Sequence, residues 1–486
     1  MLLFILGCKK FLDIKPVGAQ FLTDITTVKN TMGSWMYNFS KNGRWTIMED
    51  APEPWAPIQF SSDNSFTSAI DVWAFTNWDQ SSNTLTPAQK RVIDRGTIRS
   101  DWTVYYNLIG LMNLIITEGN LATGDLQTKD IVVGEALIQR SYYFLKLLQY
   151  YAPLDNPQLG IPVYTGIHNS LDEADLSRKP QQAVFDQIIS DLNEAELRIK
   201  RTPSSKTFNI MYNIDCINRV AAQIYYWKAQ TLVADESDWQ KAQEYSQKAC
   251  AIPNTNQTVY PYSIEKLNQE IFNLTYSSTS AGLINNGYPE AYKIAANSST
   301  FLNNTFSYDI NIWNQLYKDG DKRKKLWFLD TPNYNKPADQ ITINDLSPTR
   351  KMKGNIRFFL FRLAEQWLIN IEANAHTGNI AKAQSMLKEW RELRYEPSVI
   401  SSLPVPNTVK EFEDELYLER KREFLGESDI LWLDMKRRRV SETRTVQSFT
   451  ATLQSDDFRY QFSIPQSEID YNPQIIVNPG WVELYY

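Results

Sequence analysis

From Asp101 onward, apolar side chains recur at helical spacing. Leu137, Phe144, Leu148 and Tyr151 share one face until Pro153 stops the run, which predicts a long helix. Between Pro180 and Lys200, Val184, Ile188, Leu192 and Ile199 fall on one side, and Pro180 is tolerated at a first turn because its missing N–H would be unpaired there anyway. A further helix is expected over 214–234. Two later helix starts resemble each other: Asp238-Trp239-Gln240-Lys241-Ala242-Gln243 and Asn379-Ile380-Ala381-Lys382-Ala383-Gln384, each opening on a residue type that caps helices. The helix before each is marked by small residues, Ala221, Ala222 and Ala229 in one case and Ala364, Ala373 and Ala375 in the other, which let helices approach closely.

With segments of similar length at 101–151, 180–234 and 412–438, the pattern predicts repeated helical hairpins of the tetratricopeptide type; the plainer alternative is a set of unrelated antiparallel pairs. Two regions break the periodicity. Residues 20–98 mix Trp, Asn, Ser, Pro and Asp and read as loop and short helix; residues 253–355 fill with Asn, Ser, Thr, Tyr and Pro. Irregular stretches of that length inside a compact chain are usually functional. No low-complexity linker divides the chain. The expectation is therefore a single all-α domain over 8–486, with its helical scaffold mainly in 101–252 and 356–440 and loop-rich binding regions at 20–98 and 253–355.

Composition narrows the chemistry. Of 486 residues, 43% are hydrophobic and 22% charged, as in globular proteins. Fifty Lys and Arg against 56 Asp and Glu leave a net charge of −6, the wrong sign for binding driven by phosphate neutralisation, so no nucleic-acid partner is expected. Two His and three Cys supply little for imidazole-based metal sites or catalytic triads. Aromatic residues reach 13%, many in turn-rich stretches, an excess that asks for a surface role.

Met1 to Leu6 is an apolar run followed by Gly7, Cys8, Lys9 and Lys10. It reads as the remnant (1–7) of a lipoprotein signal peptide, with cleavage before Cys8 and acylation of its thiol; it is shorter than a full h-region and lacks a basic n-region. Cys216 and Cys250 fall in helical patterns and read as core cysteines.

Several segments, in order and spacing, resemble the SusD/RagB family of Bacteroidetes outer-membrane nutrient-binding lipoproteins. They are Cys8 to Pro16; Gly160-Ile161-Pro162-Val163; Phe185 to Leu192 with Glu194-Ala195; Arg362-Leu363-Ala364-Glu365 with Glu372-Ala373; Glu419-Arg420-Lys421-Arg422-Glu423-Phe424; Trp432-Leu433-Asp434-Met435-Lys436-Arg437; and Ile464 to Asp470 with Asn478-Pro479-Gly480. Asp429-Ile430-Leu431 departs from the Gly-His-Arg the family commonly has there, and Lys9 and Lys10 are not the acidic run that often marks surface export. The resemblance implies a SusD-like all-α fold with four tetratricopeptide-like pairs and a large loop-rich ligand-binding subdomain. It further implies a lipid-anchored protein of the cell outer membrane, facing the exterior. There it would lie over a SusC-like TonB-dependent transporter as the lid that captures an oligosaccharide. No catalysis and no cofactor are expected; the alternatives are a peptide-binding import lipoprotein of the same family, or a glycoside hydrolase working through two carboxylates.

Sugar rings stack their C–H faces on Trp and Tyr while their hydroxyls bond to Asn, Asp or Arg. Two segments offer both kinds of group: Asp63, Asn64, Trp73, Asn77, Trp78 and Asp79, and Asn285, Asn286, Tyr288, Tyr292, Tyr308 and Trp313. The competing reading of each aromatic is that it packs loop onto helix. Asp319-Gly320-Asp321, near Asp309 and Asn311, lacks the closing bidentate Glu of a calcium loop and reads as a turn. The basic runs Lys322 to Lys325 and Lys436 to Arg439 read as solvated helix ends, and His168 and His376 as structural.

Overall fold

A computed structural model describes residues 22–41, 58–60, 101–167, 175–203, 211–251, 283–284, 292–295, 306–308, 316–323, 357–424, 430–446, 449–462 and 464–480. Its scaffold is helical. In chain order come α1 (Ile25–Lys41), β1 (Ile58–Phe60), α2 (Asp101–Leu121), α3 (Leu126–Tyr151), α4 (Gln181–Arg201), α5 (Ile214–Lys228), α6 (Asp238–Ala251), β2 (Leu283–Ile284), β3 (Tyr292–Ala295), β4 (Phe306–Tyr308) and β5 (Arg357–Leu360). There follow α7 (Leu363–His376), α8 (Ile380–Arg394), the single turn α9 (Pro397–Ile400), α10 (Val409–Phe424), α11 (Ile430–Arg438), the hairpin β6 (Glu442–Val446) and β7 (Phe449–Leu453), and α12 (Gln466–Tyr471).

α3 is the axis. Asp125 caps it, accepting from the Thr128 N–H at 2.7 Å, and the extended Ala152 ends it just before Pro153. It is buried from Asp130 to Tyr151, as expected of a helix with neighbours all round. α2 lies on one side and α4 on the other, α4 laying Val184, Phe185, Ile188, Leu192, Ala195 and Ile199 into the contact. At ~25 cal/mol per Å², each such aliphatic side chain contributes about 1.5–3 kcal/mol. Arg140 and Asp191 pair across this interface at 2.6 Å.

α5 pairs with α6 and α7 with α8, and α7 also packs on α6 and α10. The helix packing differs from the sequence-based grouping at 180–234: α4 packs on α3, as α2 does, and α5 pairs with α6. Ala221, Ala222, Ala364, Ala373 and Ala375 are buried where these helices approach. The resembling helix starts at 238 and 379 are real, but their side chains do other work. Asp238 turns inward to accept from Lys228 Nζ at 2.6 Å, and Asn379 makes no side-chain cap, its Nδ2 donating to the Thr377 hydroxyl instead. Cys216 and Cys250 are buried and form no disulfide.

Among the described residues the strands form three small antiparallel sheets, β1-β4, β2-β3-β5 and β6-β7. A correction falls on 20–98: its first part is the 17-residue helix α1, with Ile25, Val28 and Met32 buried against α2 and α3.

Candidate ligand face and its anchorage

Asp63, Asn64, Trp73, Asn77, Trp78, Asp79, Asn285, Asn286, Tyr288 and Trp313, with Cys8 and His168, lie outside the described residues. Tyr292 and Tyr308 are placed by their backbones. Tyr308 ends β4 directly opposite Ile58 of β1, and Tyr292 starts β3 opposite Leu360 of β5. The β1-β4 pairing is the decisive link: it joins the first loop-rich region to the second, in register from Ile58↔Tyr308 to Phe60↔Phe306. Tyr292 sits on the other sheet.

Two stretches of chain beside β4 and β5 are fastened to the helices through buried charge. On leaving β5 the chain passes through Phe361, whose φ of +56° lies in the left-handed region that a bulky residue rarely occupies. Its conformation is held from two sides: Arg219 Nη1 donates to the Phe361 carbonyl at 2.8 Å, and the ring meets Tyr142 edge-on at 4.9 Å. Arg362 then reaches Glu423 of α10 at 3.0 Å.

The second fastening lies in 316–323. Tyr317 donates its hydroxyl to the Arg422 carbonyl at 2.7 Å, and Arg422 Nε returns a bond to the Leu316 carbonyl at 2.8 Å. Gly320, at φ +85°, turns the chain so that its carbonyl accepts from Glu396 N–H and the next residues reach α8. Residues 319–320 form a turn, and both oxygens of Asp321 accept from Arg323 at 2.9 Å. Arg323 is fully buried between Asp321, Glu419 and Glu423. Burial works to raise the Glu419 carboxyl, but Arg323, Arg422, Tyr395 and Trp390 outweigh it and hold it at about 2. Glu423 is lowered against the same penalty by Arg394, Arg362 and Arg323.

A second buried network ties α7, α10 and α11. Arg437 bonds Glu372 and Asp434, each at 2.8 Å, and Arg420 bonds Asp434 at 2.6 Å. Lys436 Nζ donates to the carbonyls of Gln149 and Ala152 at the end of α3, at 2.6 and 2.8 Å. The reading of both basic runs as solvated helix ends is therefore wrong for Arg323, Lys436 and Arg437. They are interior cations: Lys436 is held by backbone carbonyls, and Arg323 and Arg437 by carboxylates that lie mostly far away in sequence. His376 is structural as read, stacked on Trp239 at 3.7 Å and close to Glu413.

Sequence reasoning missed Arg178. This buried guanidinium donates to the carbonyls of Gly160, Tyr151, Leu159 and Ile476 and to Asn478 Oδ1, welding the chain's final turns onto α3. Nothing in the local pattern around it signals such a role.

Beneath Phe361, between α3, α5, α7, α10 and α11, lies a polar cavity of about 40 Å³ lined by Lys146, Gln149, Gln223, Glu365 and Arg420 among others. It has room for about three waters at roughly 10–15 Å³ each, too little for a sugar ring. Among the described residues, no cluster of His, Cys, Asp and Glu could hold a metal ion, and no helix is long and apolar enough to cross a membrane.

Residues 225–481 match the SusD family, and residues 10–211 match a family described as "Starch-binding associating with outer membrane". Solved structures share the fold over nearly the whole chain. A SusD superfamily protein from Bacteroides vulgatus aligns with TM-score 0.67 at 17% identity, covering 94% of this chain and 99% of its own. A SusD-like carbohydrate binding protein from the same species gives 0.60 at 17%, covering 94% and 98%. A SusD superfamily protein from Bacteroides thetaiotaomicron gives 0.60 at 18%, covering 90% and 99%. No curated protein matches.

Proposed function

The chain belongs to the SusD family, and we propose that it is a non-catalytic, oligosaccharide-binding lipoprotein of the outer membrane that captures cargo for a SusC-like TonB-dependent transporter. One observation carries the reading: β1 and β4 join two aromatic- and amide-rich regions, and the second is fastened to the helices by buried ion pairs at 316–323 and at 361–362. Loops held in this way present stacking platforms at low ordering cost when ligand arrives. Trp73, Trp78, Tyr288, Tyr292, Tyr308 and Trp313 supply the platforms, and Asp63, Asn64 and Asn77 the hydroxyl partners. The likeness to a structure described as carbohydrate binding supports a sugar as cargo. The helix pairs α2/α3, α5/α6, α7/α8 and α10/α11 act as tetratricopeptide-like units that carry the face. Cys8 bears the lipid that keeps the protein at the membrane, on its outer side.

The test is a glycan array probed with protein starting just after Cys8, beside Trp78→Ala and Tyr308→Ala. One glycan class is expected to bind, weakened at least tenfold by one substitution. Binding to no glycan, together with saturable binding of peptides, overturns the sugar reading in favour of peptide cargo. Release of reducing ends from bound oligosaccharide overturns the non-catalytic reading, and recovery of free lipoprotein only, after gentle extraction, overturns the transporter pairing.

A further inference from the structure

The described chain enters the fold directly on the turn between α2 and α3. Ile25 N–H donates to the Thr123 carbonyl at 2.9 Å, Thr123 N–H and hydroxyl donate to the Thr23 carbonyl at 2.8 and 3.0 Å, and Asp24 bridges Thr123 in parallel. Gly124, at φ +125°, lies so close that a Cβ there would stand 2.5 Å from Ile25 Cγ2. Flanking this weld are two leucines that a soluble surface gains nothing by showing: Leu121 is 75% exposed and Leu126 58%.

The same end of the scaffold carries more of them. Arg198 and Arg201 of α4 both reach Asp130 near the start of α3, and Arg198 Nη2 donates to Asn120 at 2.9 Å. The end of α4, with Leu197 60% exposed, therefore lies beside the α2-α3 turn. The Tyr212 hydroxyl donates to the carbonyl of Thr202, just past the end of α4, at 3.0 Å, which brings the start of α5 and its 42% exposed Ile214 to this end as well. Exposed apolar residues also occur elsewhere, Leu232 and Ile476 at the opposite end among them; the chain's entry point sets this group apart.

Resting on the reading of Cys8 as the lipid-bearing residue, the geometry points to this leucine-bearing end as the surface that lies against the lipid bilayer. Residues 9 to 21 separate Cys8 from Leu22. Thirteen residues reach at most ~45 Å at ~3.5 Å each, so the anchor keeps this end within that distance of the headgroups. Lys9, Lys10 and Lys15 in that segment add attraction to anionic headgroups. An acyl anchor combined with a shallow apolar contact gives two signals for membrane residence, and it orients the protein as well as tethering it.

The test places a bimane fluorophore on Leu121→Cys, Leu197→Cys or, at the far end, Leu232→Cys in full-length acylated protein on phosphatidylethanolamine/phosphatidylglycerol vesicles containing bromine-labelled lipid. Cys216 and Cys250 are buried and stay unlabelled in the native fold. Quenching at 121 and 197 is expected to exceed that at 232 by at least threefold. Equal quenching at all three positions, or none at 121 and 197, overturns the proposal. So does shielding of 121 that needs a partner protein rather than lipid. Mass spectrometry of the same material tests acylation separately. Where Cys8 is found free, a hexahistidine tether at the same residue on nickel-chelating lipid replaces the anchor, so a failed lipid assignment and a failed surface assignment give different results.

Discussion

Replacing Glu419 with Gln removes one charge from the buried node that fastens residues 316–323. The carboxylate accepts from Arg323 at 2.9 Å, Arg422 at 3.0 Å and Trp390 Nε1 at 3.1 Å, and from the Tyr395 hydroxyl. In the fold its pKa falls from 4.5 to about 2. At ~1.4 kcal/mol per unit, that corresponds to about 3 kcal/mol of stability from this group. Because the folded value is depressed, the contribution is complete above the unfolded value of 4.5 and is lost as pH falls through about 2. The amide is a neutral near-isostere of the protonated acid, so Glu419→Gln should cost about 3 kcal/mol at pH 7, the low end of the 3–5 kcal/mol typical of breaking a buried pair. Arg323 retains Asp321 and Glu423, which is why the low end applies. Urea unfolding at pH 7, 5 and 3 measures it: the gap between wild type and variant should hold to pH 5 and narrow by pH 3. Limited proteolysis should show cleavage within 253–355 accelerating more than cleavage within 101–203. A gap below about 1 kcal/mol at pH 7, or one that stays constant to pH 3, would refute the electrostatic account; uniform acceleration of cleavage would refute the anchoring role.

Burial, helped by Arg178 and opposed by Asp155, lowers the Lys436 ammonium from 10.5 to about 7. The unfolded chain holds that proton more tightly, so between pH 7 and 9 wild type should gain stability relative to Lys436→Met, by at most about 3 kcal/mol at ~1.4 kcal/mol per unit; parallel denaturation midpoints across that range would contradict this. Trp390→Phe gives up the bond to Glu419 and should cost about 1–2 kcal/mol more than Trp432→Phe, because among the described residues Trp432 Nε1 has no hydrogen-bond partner. Equal losses in chemical denaturation would show the indole bond to be worth nothing. Arg178→Met takes a donor from the carbonyls of Gly160 and Ile476 and one of two from the Tyr151 carbonyl, which keeps Asn478 Nδ2. Hydrogen exchange should rise at 464–480 before it rises in α3, and an unchanged pattern would count against Arg178 as the weld of the chain's end.

The helical scaffold was legible because its signal is local. Leu137, Phe144, Leu148 and Tyr151 are all buried at the predicted spacing, as are Val184, Ile188, Leu192 and Ile199. α1 was harder to see because Asn, Ser, Thr and Gly dilute its apolar face, and it forms by docking on α2 and α3 rather than by propensity. A usable signal was present in Asp24, whose carboxylate accepts from the Thr27 N–H and hydroxyl as an N-cap does. The basic runs misled for a different reason. Four cations in sequence look solvated, yet the helical period turns Lys436 and Arg437 inward, and Glu372, the partner of Arg437, is 65 positions away. Only packing brings such charges together.

The segments that carry the family likeness are thereby explained. Arg362, Glu365, Glu372, Glu419, Arg420, Arg422, Glu423, Asp434 and Arg437 are buried members of the two ionic networks, Lys436 is buried on the carbonyls that end α3, and Asn478 receives Arg178. A buried pair that loses one member costs several kcal/mol, so these residues are constrained together and announce the fold rather than the ligand. The aromatic and amide residues of the face obey no such constraint, since a loop platform can change its side chains while its anchors stay in place. A chain can therefore share 17% of its residues with a carbohydrate-binding structure, keep the same scaffold over 94% of its length, and still choose its own cargo. On the proposed reading, cargo identity is decided by the regions joined through β1 and β4, while the ionic networks hold the chain at 316–323 and 361–362 that leads to them.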